Sequence, residues 1–294
     1  MTAMGDNRQE NVLRELYEQL VKVFKQNPEN SKGTRRDRQT DLRQSVRLLC
    51  EKFGLQRLRN IKPKHVQALR QEWQTRGLVP GTQQNKMANL RWLMEKLGKT
   101  RMLAKSNAEA GIEKRARHGR AGKYLPPEKI KTVLDKLCGA KDKALVLMAR
   151  QFGMRFREAS LFRPNRDVEG NMLWIKRGAK GGRPRYLWLV RPQQHELLEA
   201  LRKMVTGRNG NLVDPDKTWE QWRQSTYDRL RSAGLSRRQD EVFHDLRRTW
   251  ADEEFKRLRE KGHSIREAAH IVAKRLGHNR IEVLRWYLPG AAAA

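Results

Sequence analysis

Apolar residues recur every three or four positions through the first hundred residues, in four runs that proline and glycine cut apart. Val12, Leu13, Leu16, Leu20, Val23 and Phe24 form the first run, and Pro28 ends it. Leu42, Val46, Leu49 and Phe53 mark a second, closed by Gly54; Arg35, Arg36 and Arg38 lead into it. The third starts near Pro63 and carries Val66, Leu69 and Trp73 to Gly77. The fourth follows Pro80-Gly81-Thr82 with Met87, Leu90, Leu93, Met94 and Leu97 before Gly98. This spacing puts one apolar stripe on each helix and rules out strands, whose side chains alternate with period two. Four helices with short connections predict a bundle over residues 1–100.

The pattern lapses between Lys99 and Lys123, where small and basic residues dominate. We read 101–123 as a basic interdomain linker lying along a polyanion, with a solvated surface loop as the alternative. A second domain over 124–290 opens with Pro126-Pro127-Glu128, a helix start with proline in its first turn. An apolar helix from Ala144 to Phe152 ends at Gly153. Alternating segments Met172 to Ile175 and Tyr186 to Leu189 flank Gly178-Ala179-Lys180-Gly181-Gly182, which predicts a small antiparallel sheet with a glycine-rich tip. Thr218-Trp219-Glu220-Gln221 and Ser264-Ile265-Arg266-Glu267 are capping-box starts of later helices. The chain is therefore mainly α with one small antiparallel β-sheet, in two domains followed by an alanine tail, 291–294.

Charge narrows the partner. Lys and Arg number 64 against 33 Asp and Glu, a net charge of +31. Residues 1–122 carry +15 and residues 123–294 carry +16, so both domains face a polyanion rather than one basic tail. Such a charge predicts binding to nucleic acid with steep salt dependence. Two cysteines, Cys50 and Cys138, sit at helical spacing and read as small core residues, not as ligands or a disulfide. No apolar run approaches the ~18 residues of a membrane span, and the polar start is no signal peptide. The expected setting is the cytoplasm, at the bacterial nucleoid. Gly98-Lys99-Thr100 imitates the end of a P-loop, but Leu93 stands where its first glycine belongs, so ATP is not expected.

Three short clusters can carry chemistry. Arg155 and Glu158, in Gly153-Met154-Arg155-Phe156-Arg157-Glu158, lie at a helix start suited to an anion; their plain alternative is an i,i+3 surface pair. His244 and Arg247, in His244-Asp245-Leu246-Arg247, share a helix face. His278 follows Leu276-Gly277 and can equally be a helix cap. Tyr287 lies between Trp286 and Leu288 and can equally be a core aromatic. Arginine forks grip phosphate, and a phenol can attack it.

The order of these clusters resembles the tyrosine recombinase (phage integrase) family. Its pattern is an arginine in Gly-[Leu/Met]-Arg-x-x-Glu, a hairpin lysine, His-x-x-Arg, Leu-Gly-His, and a tyrosine nine residues later. Here these are Arg155 with Glu158, Lys180, His244 and Arg247, His278, and Tyr287. Lys180 is placed by Lys180-Gly181-Gly182-Arg183-Pro184-Arg185, similar to the family's Lys-Gly-x-x-x-Arg hairpin; Lys176 is the competing lysine. The motifs cover 124–288.

The resemblance implies site-specific strand cleavage and rejoining through a 3′-phosphotyrosyl intermediate, with integration or excision of a mobile element. Tyr287 is then the nucleophile and Lys180 the general acid. Arg155, Arg247 and His278 bind the phosphate, His244 accepts a proton, and Glu158 orients a basic partner. No metal and no other cofactor is required. It also implies a two-domain DNA clamp, with a helical core-binding domain beside the catalytic one. The partners are double-stranded DNA with an inverted-repeat core site, a homotetramer on two duplexes, and a DNA-bending accessory factor. Arg35, Arg36, Arg38, Lys86 and Arg91 are the DNA-contact candidates of the first domain, against the alternative of a solvated basic face. In many members a segment beyond the tyrosine docks on a neighbouring protomer; here Leu288-Pro289-Gly290 and four alanines follow Tyr287, and Pro289-Gly290 stops the helix. A type IB topoisomerase-like enzyme and a catalytically silent DNA-binding accessory protein are the competing functions.

Overall fold

The computed structural model describes residues 3–115, 124–179, 182–205, 207–236 and 242–278. The chain divides into two compact units, Met1–His118 and Gly119–Ala294.

The first unit is helical. Helix α1 spans Ala3–Gln26, α2 Lys32–Phe53, α3 Pro63–Thr75 and α4 Pro80–Lys96. Their apolar stripes meet in one core that includes Leu16, Leu20, Leu42, Leu49, Leu69, Met87, Leu90 and Leu93. Cys50 belongs to this core, as its spacing predicted. Helix α2 starts ten residues before Leu42, because Ser31 caps it by accepting from the Thr34 amide at 3.2 Å. Its first turns are polar and leave no apolar period to read. Arg35, Arg36 and Arg38 therefore lie inside α2 rather than ahead of it.

The stretch read as a linker from residue 101 differs in its first part. Residues 103–112 pack back on this bundle: Ala110 and Ile112 are buried in its core, and Leu103 and Ala104 lie against it. Arg91 holds the return, donating to the Ala104 and Ser106 carbonyls and to Asn107 Oδ1 at 2.7–3.3 Å. Arg115 donates to the Gly81 carbonyl and Asn85 Oδ1, both at 3.0 Å. The remainder of that stretch, 116–123, and the tail 291–294 lie outside the described residues.

The second unit is built around α6 (Ala140–Phe152), whose Leu145, Val146, Met148, Ala149 and Phe152 are all fully enclosed. Helix α10 (Phe243–Glu260) packs along it. Around this pair stand α5 (Pro127–Lys136), α7 (Phe156–Leu161), α8 (Pro192–Met204), α9 (Trp219–Ser232) and α11 (Ile265–Leu276). Both expected capping boxes are present: Thr218 Oγ1 accepts from the Gln221 amide and Ser264 Oγ from the Glu267 amide.

Strands β1 (Val168–Glu169), β2 (Met172–Ile175) and β3 (Arg185–Trp188) form one antiparallel sheet in that order. Leu173 pairs with Leu187 and Ile175 with Arg185 on the buried face. Tyr186 and Trp188 occupy the exposed one, with Trp174 half-buried beside them. Cys138 is exposed, contrary to the core reading. It follows the end of α5, where the chain leaves the helix and the helical spacing no longer sets its direction. Among the described residues no helix is long and apolar enough to cross a membrane.

Candidate active site

The first cluster owes its spacing to a helix change. Helix α6 ends on Gly153 in the left-handed conformation, φ 58°. A Cβ there would fall 2.5 Å from Trp250 Cε3, so glycine is needed both for its backbone and for close approach to α10. Two residues later Arg155 is the N-cap of α7, and Glu158 is its third residue. The Glu158 carboxylate reaches back to accept from the Arg155 amide at 2.7 Å and from its guanidinium at 2.6 Å.

Glu158 is completely buried, and three guanidinium groups surround it. Besides Arg155, Arg185 at the start of β3 forms a two-pronged pair with it, both hydrogen bonds at 2.6 Å. Arg247 of α10 lies 3.7 Å away. Burial pushes the Glu158 carboxyl up, but the Arg185 hydrogen bonds and the charges of Arg185, Arg247 and Arg155 outweigh it and hold it at about 2. The carboxylate is thus fixed in its charged form and holds Arg155 and Arg185 by hydrogen bonds, with Arg247 close by.

Arg247 is a fully enclosed side chain whose two terminal nitrogens donate to the Gly153 and Leu276 carbonyls. Both carbonyls belong to helix ends, where backbone acceptors lack intrahelical partners. A cation between two helix C-termini and a carboxylate is electrostatically compensated despite its burial.

His244 opens α10 one turn before Arg247 on the same face. Burial first, then Arg247, Arg248 and Arg155, lower its pKa to about 4, against an opposing pull from Glu158. His278 follows Gly277, the left-handed cap of α11 at φ 68°, and its amide donates to the Ala273 carbonyl at 2.9 Å. Burial, Arg247, Arg155, Arg185 and His244 lower its pKa to about 4 as well. At neutral pH both imidazoles are therefore uncharged, each able to donate one hydrogen bond and accept another.

Arg155, Glu158, His244, Arg247 and His278, drawn from three separate stretches of sequence, thus converge in one place. Lys180 and Tyr287 lie outside the described residues. The base of the hairpin is described: Gly178 has φ 73°, and a Cβ there would fall 2.7 Å from the Arg157 carbonyl, so the hairpin leaves from contact with α7. The competing lysine, Lys176, sits 5.4 Å over the Trp174 ring.

Arg185 is the member that motif reasoning did not assign. It closes the Lys-Gly-x-x-x-Arg pattern, and its signal was period two: Arg185, Leu187 and Leu189 all take the buried face. An arginine on the inward side of a strand needs a buried anion. Its Cδ also stands 3.2 Å from where a Gly277 Cβ would be, so the Leu-Gly-His glycine makes room for it.

The DNA-contact candidates divide. Arg38 donates to Asn89 Oδ1 at 3.3 Å and stacks 4.5 Å over Trp92. Lys86 pairs with Asp41. Both still line an open polar groove of about 530 Å³ between α2 and α4, with Thr34, Gln44, Thr82 and Asn85. Arg35 donates to the Phe24 carbonyl at 3.3 Å, and Arg36 is exposed. Arg91 points instead into its own unit, as described above.

Comparison with known proteins places the chain. The family description "Phage integrase, N-terminal" matches residues 13–103, and "Phage integrase family" matches residues 123–293. No curated protein gives a significant match to the sequence. Among solved structures, a lambda integrase tetramer bound to a Holliday junction is similar over 96% of this chain and 78% of its own, at 15% identity and TM-score 0.64. XerH site-specific recombinase in a post-cleavage complex with palindromic difH substrate matches over 95% and 92%, at 20% identity and TM-score 0.56. The Tn1549 transposon integrase in complex with transposon right-end DNA matches over 94% of each chain, at 13% identity and TM-score 0.58. At such identities these structures establish the shared fold.

Proposed function

The chain belongs to the phage integrase family of tyrosine recombinases, and on that premise we propose that it cuts and rejoins DNA at a defined site through a covalent tyrosyl intermediate. The observation that carries this reading is the buried Glu158, which orders Arg155, Arg185 and Arg247 beside two neutral histidines. Such an array suits an incoming phosphodiester: guanidinium forks bind its oxygens and neutralise charge that builds in a five-coordinate transition state.

In the proposed step the Tyr287 phenol oxygen bonds to phosphorus as the bond to the 5′-oxygen breaks. The leaving oxygen takes a proton from Lys180, and the phenol proton passes to His244, whose lowered pKa keeps it unprotonated and ready to accept. Arg155, the partly exposed guanidinium of the three, holds the non-bridging oxygens; Arg247, enclosed and bonded to the Gly153 and Leu276 carbonyls, adds its positive charge beside them, and His278 donates one further hydrogen bond. The phosphotyrosine keeps the energy of the broken linkage, so a 5′-hydroxyl can reverse the step on a new strand without another energy source. The polar groove lined by Arg38 and Lys86, with the exposed Arg36, supports DNA contact by the first unit. Integration or excision of a mobile element by a tetramer on two duplexes is the wider role proposed.

Covalent capture tests this. The protein is incubated with fragmented genomic DNA and denatured, and the protein-linked strands are sequenced at their 3′ ends. Adducts at one inverted-repeat sequence, absent in Tyr287→Phe, are the expected result. Adducts scattered over all sequences would favour a topoisomerase, and adducts persisting in Tyr287→Phe would remove the nucleophile assignment.

A further inference from the structure

The loop after α7 and the end of α8 enclose a cleft of about 270 Å³ that four arginines line: Arg163, Arg166, Arg202 and Arg208. Asn165 and Asn209 add amide groups, and Val205 is the one apolar side chain on its wall. Among the described residues the ion pair these four cations make is that of Arg202 with Glu199. Among the described residues Arg163, Arg166 and Arg208 have no acidic partner within ion-pair distance. Arg163 Nε is buried and has no hydrogen-bond partner. Asp167, the nearest acid in sequence, accepts from the Arg163 amide but gives its carboxylate to the Arg177 guanidinium, at 2.7 Å.

Uncompensated like charges lining one cleft repel one another, and a bound anion relieves that repulsion. We infer that this cleft is a second phosphate site, separate from the catalytic cluster. Guanidinium forks match phosphate oxygens, and the amides of Asn165 and Asn209 can complete the shell. Among the described residues no aromatic side chain lines the cleft. The phosphates come either from a DNA backbone outside the cleavage site or from a free polyphosphate. The anion site stands independently of the recombinase reading; its DNA source rests on that reading.

Calorimetry of the full chain with inorganic pyrophosphate, at constant ionic strength, tests the site. Arg166 and Arg208 are exposed, so Arg166→Ala/Arg208→Ala leaves the fold intact. Lys131→Ala/Lys136→Ala, two exposed positions on α5, removes the same charge elsewhere. The binding stoichiometry is expected to fall by one equivalent in the arginine variant and to stay unchanged in the lysine variant. Equal stoichiometry in all three proteins, or equal losses in both variants, would overturn the proposal. The salt dependence of duplex binding then names the source. A slope smaller by about 0.9 for each phosphate lost identifies the DNA backbone; an unchanged slope beside the lost equivalent identifies a free polyphosphate. Covalent capture at the tyrosine is read separately, so its failure does not affect this result.

Discussion

Replacing Glu158 by glutamine keeps the shape of the side chain and removes the charge that three guanidinium groups share. Arg185 is 4% exposed and would be left as a buried cation facing a neutral amide. Removing one partner of a buried ion pair costs about 3–5 kcal/mol, because the remaining charge is no longer compensated. Arg185→Met strands the carboxylate in the same way, but Arg155 and Arg247 still face it. Glu158→Gln is therefore expected to be the more damaging single change. For a unit of this size each kcal/mol lowers Tm by roughly 2–4 °C, so a drop of roughly 6–20 °C is expected. The double variant Glu158→Gln/Arg185→Met removes both charges and should lose at least about 2 kcal/mol less than the sum of the two singles. Scanning calorimetry of the four proteins gives this cycle directly. Additivity within about 0.5 kcal/mol, or singles costing less than about 1 kcal/mol each, would refute the reasoning that the pair is a coupled buried unit.

The same carboxylate sets an acid limit. Its folded pKa, about 2, lies below its ordinary value of 4.5, so its contribution to stability is present above pH 4.5 and is lost as pH falls toward 2. His244 and His278 have folded pKa values of about 4 against an ordinary 6.5, so the unfolded chain binds their protons first and stability falls between pH 6.5 and 4. A Tm-against-pH curve should rise through that window, and His244→Gln/His278→Gln should flatten it; an unchanged slope would exclude the histidines as its cause. Gly153→Ala is expected to cost roughly 3 kcal/mol, combining a left-handed backbone with overpacking against Trp250, and a Tm within error of the parent would contradict it. Arg91→Ala should loosen residues 103–112 and speed their limited proteolysis, while leaving the salt slope of DNA binding unchanged; a reduced slope would restore Arg91 as a phosphate contact. Lys180→Ala should slow cleavage, with recovery on a 5′-thio leaving group that needs no proton, and absence of recovery would remove the general-acid role.

Much of this architecture was legible in the chain. Local chemistry with a short range leaves periodic marks: Gly54 and Gly153 end helices, Pro63, Pro80 and Pro127 open them, and Thr218 and Ser264 cap them. Two of the features that escaped leave none. The early start of α2 is polar and depends on one serine cap, and the return of residues 103–112 onto the bundle depends on Arg91 meeting carbonyls 13 and 15 positions away.

The site divides along the same line. Sequence by itself put Arg155 beside Glu158 and His244 beside Arg247 on single helices, because helix geometry relates residues three or four apart; grouping these with His278 rested on the family resemblance in their order. Only the tertiary structure decided that Glu158 of α7 serves Arg185 of β3 and lies near Arg247 of α10. It alone also showed that Gly277 clears the way for Arg185, and that two histidines sit uncharged among these cations. The physical reason is separation along the chain. An ion pair between residues 27 apart, or a pKa set by charges from three elements, exists only once packing has brought those elements together and removed the water between them.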